Sequence, residues 1–127
     1  MRLTQVRQGL LRNFGRRFAS VTVVAVVVAG AAGGVLRALR AEIARAQSES
    51  GVRALLLASG LPRYFSSGLD LEEALAAPES RRSELFEALL EAHRALLAFP
   101  KPAVASVSGA ALLGGWILAM GCDFRVL

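Results

Sequence analysis

Acid is missing from the first third of this chain. Arg2, Arg7, Arg12, Arg16, Arg17, Arg37 and Arg40 all precede the first carboxylate, Glu42, and from Glu42 onward 8 basic residues face 10 acidic ones. The formal charge of +5 over 127 residues therefore belongs to a leader rather than to a binding face. Aromatics are scarce at 6%, and no basic stretch interleaved with aromatics follows the leader, which removes the footprint of nucleic-acid binding. Cysteine occurs once, at Cys122, so an internal disulfide and a cysteine metal cluster are excluded and a buried thiol is expected. His93 lies beside Arg94 on a helical stretch, where a solvated or hydrogen-bonded ring is the ordinary outcome; no metal site is expected. Internal repeats and low-complexity tracts are absent.

What is present is apolar. A hydrophobic content of 54% suffices for one domain with a real core. Residues 1–20 are arginine-rich and place Leu3, Val6, Leu10, Phe14 and Phe18 at helical spacing, the pattern of a mitochondrial presequence, with an ordinary N-terminal extension as the alternative. The domain is expected over 21–127. Phe18 to Leu36 carries no charge over 19 residues, long enough for a membrane span. Against a span, Val21 to Val28 is β-branched and suits a strand buried on both faces, Ala29 to Gly34 suits a loop, and Leu36, Leu39 and Ile43 share one face of a helix to Ala46.

Val52 to Ala58 predicts a second buried strand. Two strands joined by a helix pair in parallel, because antiparallel neighbours need only a hairpin. A helix is expected over Ser83 to Phe99, capped by Ser83, with Phe86, Leu89, Leu90, Leu96 and Leu97 on its apolar stripe and Pro100 and Pro102 ending it. Ala103 to Val107 predicts a third strand, Gly115 to Gly121 a helix, and Asp123 to Leu127 the start of a fourth strand. The fold class is α/β.

Two loops carry the chemistry. Tyr64 to Leu71 (YFSSGLDL) and Ser108 to Gly115 (SGAALLGG) each follow a predicted parallel strand, and such loops gather at the carboxyl edge of a sheet, where open α/β proteins bind ligands. Gly114 and Gly115 sit where a helix begins, and the free N–H groups of a first helical turn favour negative charge. Taken alone, these glycines equally suit a helix that packs closely. Paired with the first loop, they offer two backbone donors to one oxygen, the arrangement that stabilises an enolate-like transition state of a thioester.

In order and spacing, FSSGLDL, FPKPAVASVSGAALLGG and LAMGCDFRVL resemble the crotonase family of enoyl-CoA hydratases and isomerases. The resemblance runs from about Val21 to Leu127 and covers the N-terminal half of a family domain. It implies a repeated ββα/βαβ spiral core, cut short after about four strands. It assigns the two oxyanion donors to the N–H groups of Leu69 and Gly114, and substrate contacts to Ser67, Gly68, Leu69, Asp70, Leu71 and Gly114. The family pattern F-S-A-G-x-D has Ser67 at its alanine here, and the first glycine of the family's three-glycine run is Leu113.

Family hydratases use two glutamates, and the first falls on Ile117. Water addition needs that second carboxylate, so the resemblance favours Δ3,Δ2-enoyl-CoA isomerases, which keep GLDL and run into a C-D-aromatic-R strand like Cys122 to Leu127. Their single glutamate is expected beyond residue 127. Glu72 and Glu73 read as first-turn helix carboxylates, Asp70 as a helix cap, and Trp116 as packing or acyl-pocket lining. The implied protein is a mitochondrial-matrix isomerase of fatty-acid β-oxidation. It acts on an acyl-CoA thioester without a separate cofactor and forms a homotrimer when full length, with no nucleic-acid partner and no membrane span. The alternatives are a hydratase-like member and a non-catalytic truncated isoform.

Overall fold

The computed structural model describes residues 21–25, 33–60 and 63–127. The expected presequence over 1–20 and most of the uncharged run fall outside these residues; of the loop expected over Ala29 to Gly34, the last two residues, Gly33 and Gly34, instead open a helix, because the helical pattern that follows extends back through them.

The main sheet has four strands, all parallel, in the order β1-β2-β4-β6: β1 Val21–Ala25, β2 Ala54–Ala58, β4 Ala103–Ser106 and β6 Phe124–Val126. Leu55 has partners on both sides, Thr22 in β1 and Ala103 in β4, so β2 sits inside the sheet. The expected parallel β1–β2 pair is therefore present. Between them runs α1, Gly33–Ser48, which buries Leu36, Leu39, Ile43 and Ala46 on the face that the apolar spacing picks out. Its carboxyl end is tied down by Lys101, whose Nζ donates to the carbonyls of Ala46 (3.3 Å) and Glu49 (2.9 Å). A cation there satisfies carbonyls that the helix leaves unpaired.

Strand β2 alternates buried and half-buried residues from Ala54 to Leu57, and β4 does the same over its length. In both strands one face packs on the core and the other is partly covered, and the two-sided burial expected of Val21 to Val28 falls on residues whose side chains lie outside the description. Strand β6 lies at the sheet edge with all three residues exposed.

Two helices follow the first loop: α2, Leu71–Ala76, and α3, Glu79–Leu97. The second differs from the sequence expectation in two respects. It begins four residues earlier, with Pro78 as its N-cap and Ser83 inside the helix, because proline's fixed φ already suits a helix entrance. Its buried stripe is Leu85, Leu89, Ala92 and Leu96, whereas Phe86 is 55% exposed and Leu90 and Leu97 also face outward. The helix carries two adjacent apolar stripes, and only one meets α1 and the core. An Arg40–Glu91 ion pair ties the outer surfaces of α1 and α3 together. The core joins this stripe to Leu36, Leu39 and Ile43 of α1, Leu55 and Leu57 of β2, and Ala103 and Ala105 of β4.

Candidate active site

The two loops singled out in the sequence contain strands of their own. β3, Tyr64–Ser66, and β5, Ala110–Ala111, form a second, two-stranded parallel sheet that pairs Tyr64 with Ala110 and Ser66 with Ala111. Hydrogen bonds extend the pairing at both ends: Ala110 N donates to the Arg63 carbonyl (3.2 Å) and Leu112 N to the Ser66 carbonyl (2.9 Å). Each loop is thus held by the other. Gly109 makes this approach feasible: at φ +85, a Cβ added there would lie 2.1 Å from the Arg63 carbonyl oxygen, so only glycine fits.

Helix α4, Gly114–Met120, leaves β5 and packs directly onto β3. A Cβ on Gly115 would stand 2.4 Å from the Ser66 Cβ and 2.6 Å from its Oγ. Ser66 is fully buried, and its Oγ accepts from Gly68 N at 3.2 Å, which shapes the turn that follows β3. Gly68 then takes φ +92, with the Leu112 carbonyl oxygen 2.9 Å from where its Cβ would be.

The consequence is that the residues expected to act together are neighbours. A Cβ added at Gly114 would lie 3.5 Å from the Leu69 amide nitrogen and 3.6 Å from Leu69 Cγ. Gly114 opens α4 and is buried, and as the first helical residue its N–H has no carbonyl four positions back within the helix to receive it. Gly68 is buried and Leu69 half-buried, while Ser67 and Leu71 are exposed. Asp70 is spent on structure: its Oδ1 accepts from Glu73 N at 3.0 Å and caps α2.

The remaining polar groups are positioned by packing. His93 Nδ1 lies 2.8 Å from the Ile117 carbonyl oxygen, and since a carbonyl only accepts, Nδ1 is the protonated nitrogen. His93 thereby ties α3 to α4. Cys122 is buried, and that burial, with Asp123 adding to it, pushes the thiol up to about 12. Asp123 itself closes a two-way link to β4: its Oδ2 accepts from Ala103 N (2.8 Å), and its own N donates to the Ala103 carbonyl (2.9 Å). A cleft of about 140 Å³ between α1, α2 and α3 is lined by Gly33, Arg37, Glu73, Arg81, Glu84 and Leu85. None of the site residues named from the sequence lines it, and Glu73 faces this cleft with two arginines. Among the described residues no cluster of histidine, cysteine and carboxylate groups could hold a metal ion, and no helix is long and apolar enough to cross a membrane.

The β3–β5 pairing, the fixed role of Gly109 and the Gly115–Ser66 contact leave no pattern in the sequence. Short strands of two and three residues carry no periodic pattern, so only the glycines marked them.

Comparison with known proteins agrees with this architecture. Residues 19–127 match the family model described as enoyl-CoA hydratase/isomerase. The chain is 36% identical over 84 residues to enoyl-CoA hydratase domain-containing protein 2, mitochondrial, of Homo sapiens, covering 66% of this chain and 29% of that protein. It is 28% identical over 81 residues to enoyl-CoA delta isomerase 1, mitochondrial, of Rattus norvegicus, covering 64% and 28%. The crystal structure of enoyl-CoA hydratase from Bacillus anthracis superposes with a TM-score of 0.81 at 22% identity, over 87% of this chain and 45% of that one. The chain spans about a third of the length of the curated relatives it matches. With residues 19–127 matched and the same parallel-stranded fold in the solved relative, the chain belongs to the enoyl-CoA hydratase/isomerase family, the crotonases.

Proposed function

We propose that this chain binds an acyl-CoA thioester with its carbonyl oxygen between the N–H groups of Leu69 and Gly114, as the enolate-stabilising part of a Δ3,Δ2-enoyl-CoA isomerase. The observation that carries the reading is the proximity of these two positions, with the Leu69 amide 3.5 Å from the space a Gly114 side chain would fill. In the reaction a base removes the α-proton of a 3-enoyl thioester. The electron pair moves onto the carbonyl oxygen, where the two amides hold it, and the proton returns at the γ carbon as the double bond shifts toward the carbonyl. Preorganised donors of this kind contribute about 10²–10³ in rate each.

Isomerisation is favoured over hydration because Ile117, partly buried against the core, stands where a hydratase needs a carboxylate. On this reading the base is a residue other than Asp70, whose carboxylate is committed to its cap. The mitochondrial names of the human and rat relatives, together with the arginine-rich residues 1–20, support a place in the mitochondrial matrix. Ser67, Gly68, Asp70 and Leu71 complete the substrate-contacting loop, and a trimer is the assembly proposed for a full-length protein.

Acetoacetyl-CoA tests the reading, because its enolate absorbs in the near ultraviolet and reports oxyanion binding without turnover. The wild-type chain should raise the enolate fraction. Gly114→Pro, which removes the donor, should abolish that rise, while Gly114→Ala keeps the N–H but fills the space beside Leu69. A wild-type chain that leaves the enolate fraction unchanged would overturn the proposal. Assay with a 3-enoyl-CoA then separates an active enzyme from a chain that only binds.

A further inference from the structure

Leu113 adopts φ 42 and ψ −110, and it is the only non-glycine with positive φ among the described residues. An L side chain in this region is strained, and glycine would occupy it freely. The other two positive-φ positions, Gly68 and Gly109, are glycines. Packing does not compensate Leu113, whose side chain is 73% exposed. The folded chain therefore gains no core burial from the leucine and carries its backbone cost. Strain of this kind concentrates where a ligand is held.

The location of Leu113 gives the side chain a purpose. It stands between the two loops: a Cβ added at Gly68 would come within 3.3 Å of the Leu113 Cβ. The residue after Gly68 is Leu69 and the residue after Leu113 is Gly114, so each neighbour carries one of the paired amides. Leu112 beside it is also exposed, at 52%. Resting on the two-amide reading above, we propose that Leu113 is a specificity-determining residue that covers the aliphatic carbons next to the thioester. It selects acyl-CoA esters whose acyl group is apolar near the carbonyl and disfavours those with charge there. An exposed apolar side chain at this position gains burial when such an acyl group arrives.

The test measures binding of butyryl-CoA, of succinyl-CoA and of unacylated CoA to the wild-type chain and to Leu113→Gly, Leu113→Ala and Leu113→Met. Trp116, the single tryptophan and 41% exposed, serves as the fluorescent reporter. Wild type should prefer butyryl-CoA to both other ligands. Glycine and alanine should lower that preference about tenfold, the worth of one buried apolar side chain, and methionine should restore it. Thermal melts separate this from a general effect on folding: glycine relieves the strain and raises Tm, whereas alanine keeps the strain and does not, yet both lose the preference. Glycine and alanine variants that retain the full preference for butyryl-CoA would overturn the role of Leu113 and leave the two-amide reading standing. A wild-type chain that binds butyryl-CoA no better than CoA would overturn both.

Discussion

Replacing Gly115 with alanine adds one methyl group at the tightest helix–strand contact of the site. That carbon would sit 2.4 Å from the Ser66 Cβ, 2.6 Å from its Oγ and 3.0 Å from its carbonyl oxygen, whereas carbon atoms pack at about 3.5–4.0 Å. No rotamer relieves the overlap, because a Cβ is fixed to its backbone and the Oγ is engaged with Gly68 N. Helix α4 must therefore move away from β3 by about 1 Å, opening the contacts of Leu118 and Ala119, both buried. Overpacking of this kind costs about 1–3 kcal/mol, and the absence of a flexible neighbour places Gly115→Ala at the upper end. At roughly 2–8 °C per kcal/mol across domains of comparable size, Tm should fall by about 10 °C. Gly34→Ala is the control: nothing lies within 4 Å of the added carbon inside α1, and a helical glycine replaced by alanine gains up to about 1 kcal/mol. Adding Ser66→Gly to Gly115→Ala removes the two closest obstructing atoms, so the pair should couple by about 1 kcal/mol or more in a double-mutant cycle. Circular-dichroism melts of the four variants decide the matter. Gly115→Ala melting with the wild type, or strict additivity with Ser66→Gly, would refute the contact as the determinant of the loop geometry.

Asp70→Ala removes the α2 cap at a cost of about 1 kcal/mol, and because α2 buries no residue the loss should appear as faster hydrogen exchange at Glu73 and Ala74 with little change in Tm. Cys122 should resist thiol reagents in the folded protein at pH 8. Its folded value of about 12 lies above the ordinary 9.0, so the native state keeps a proton that the unfolded chain releases, and stability should decline as pH rises between those values. Urea midpoints across that window, compared with Cys122→Ala, check the sign; an unchanged slope in the alanine variant would rule the thiol out.

Much of the fold was legible because long elements carry their own periodicity. Leu36, Leu39 and Ile43 mark the buried face of α1 by spacing alone, and the strand–helix–strand order requires the parallel β1–β2 pair. Asp70 read correctly as a cap because its side chain is the right length to reach the amide three residues on. Phe86, Leu90 and Leu97 did not, since a helix with two apolar stripes does not reveal which one its neighbours will cover. Ser83 lost the cap to Pro78 because the residues before it continue the helix without a break. The loops were recognisable from their glycines, but what joins them is a backbone contact at Ser66, Gly109 and Gly115. Leu113 shows the limit most clearly: the sequence reveals a leucine in a glycine run, and only the backbone reveals that the chain keeps the left-handed turn regardless.

The all-parallel main sheet also carries a loop-closure cost in every one of its pairings. No two neighbouring strands are joined by a hairpin, so every pairing must close a long loop before any ladder forms. From Val104 to Phe124 the separation is about 20 residues, from Val21 to Ala54 about 33, and from Leu55 to Ala103 about 48. Closing the longest costs about 0.8 kcal/mol more than closing the shortest, a modest difference. The β4–α4–β6 unit, which carries Gly114, spans the shortest of these loops, and the central β2–β4 seam, which joins the two halves of the sheet, spans the longest. Pairings between residues so distant in sequence slow folding relative to a hairpin-rich sheet of the same size, so the topology that gathers the two loops at one sheet edge does so at the expense of folding rate.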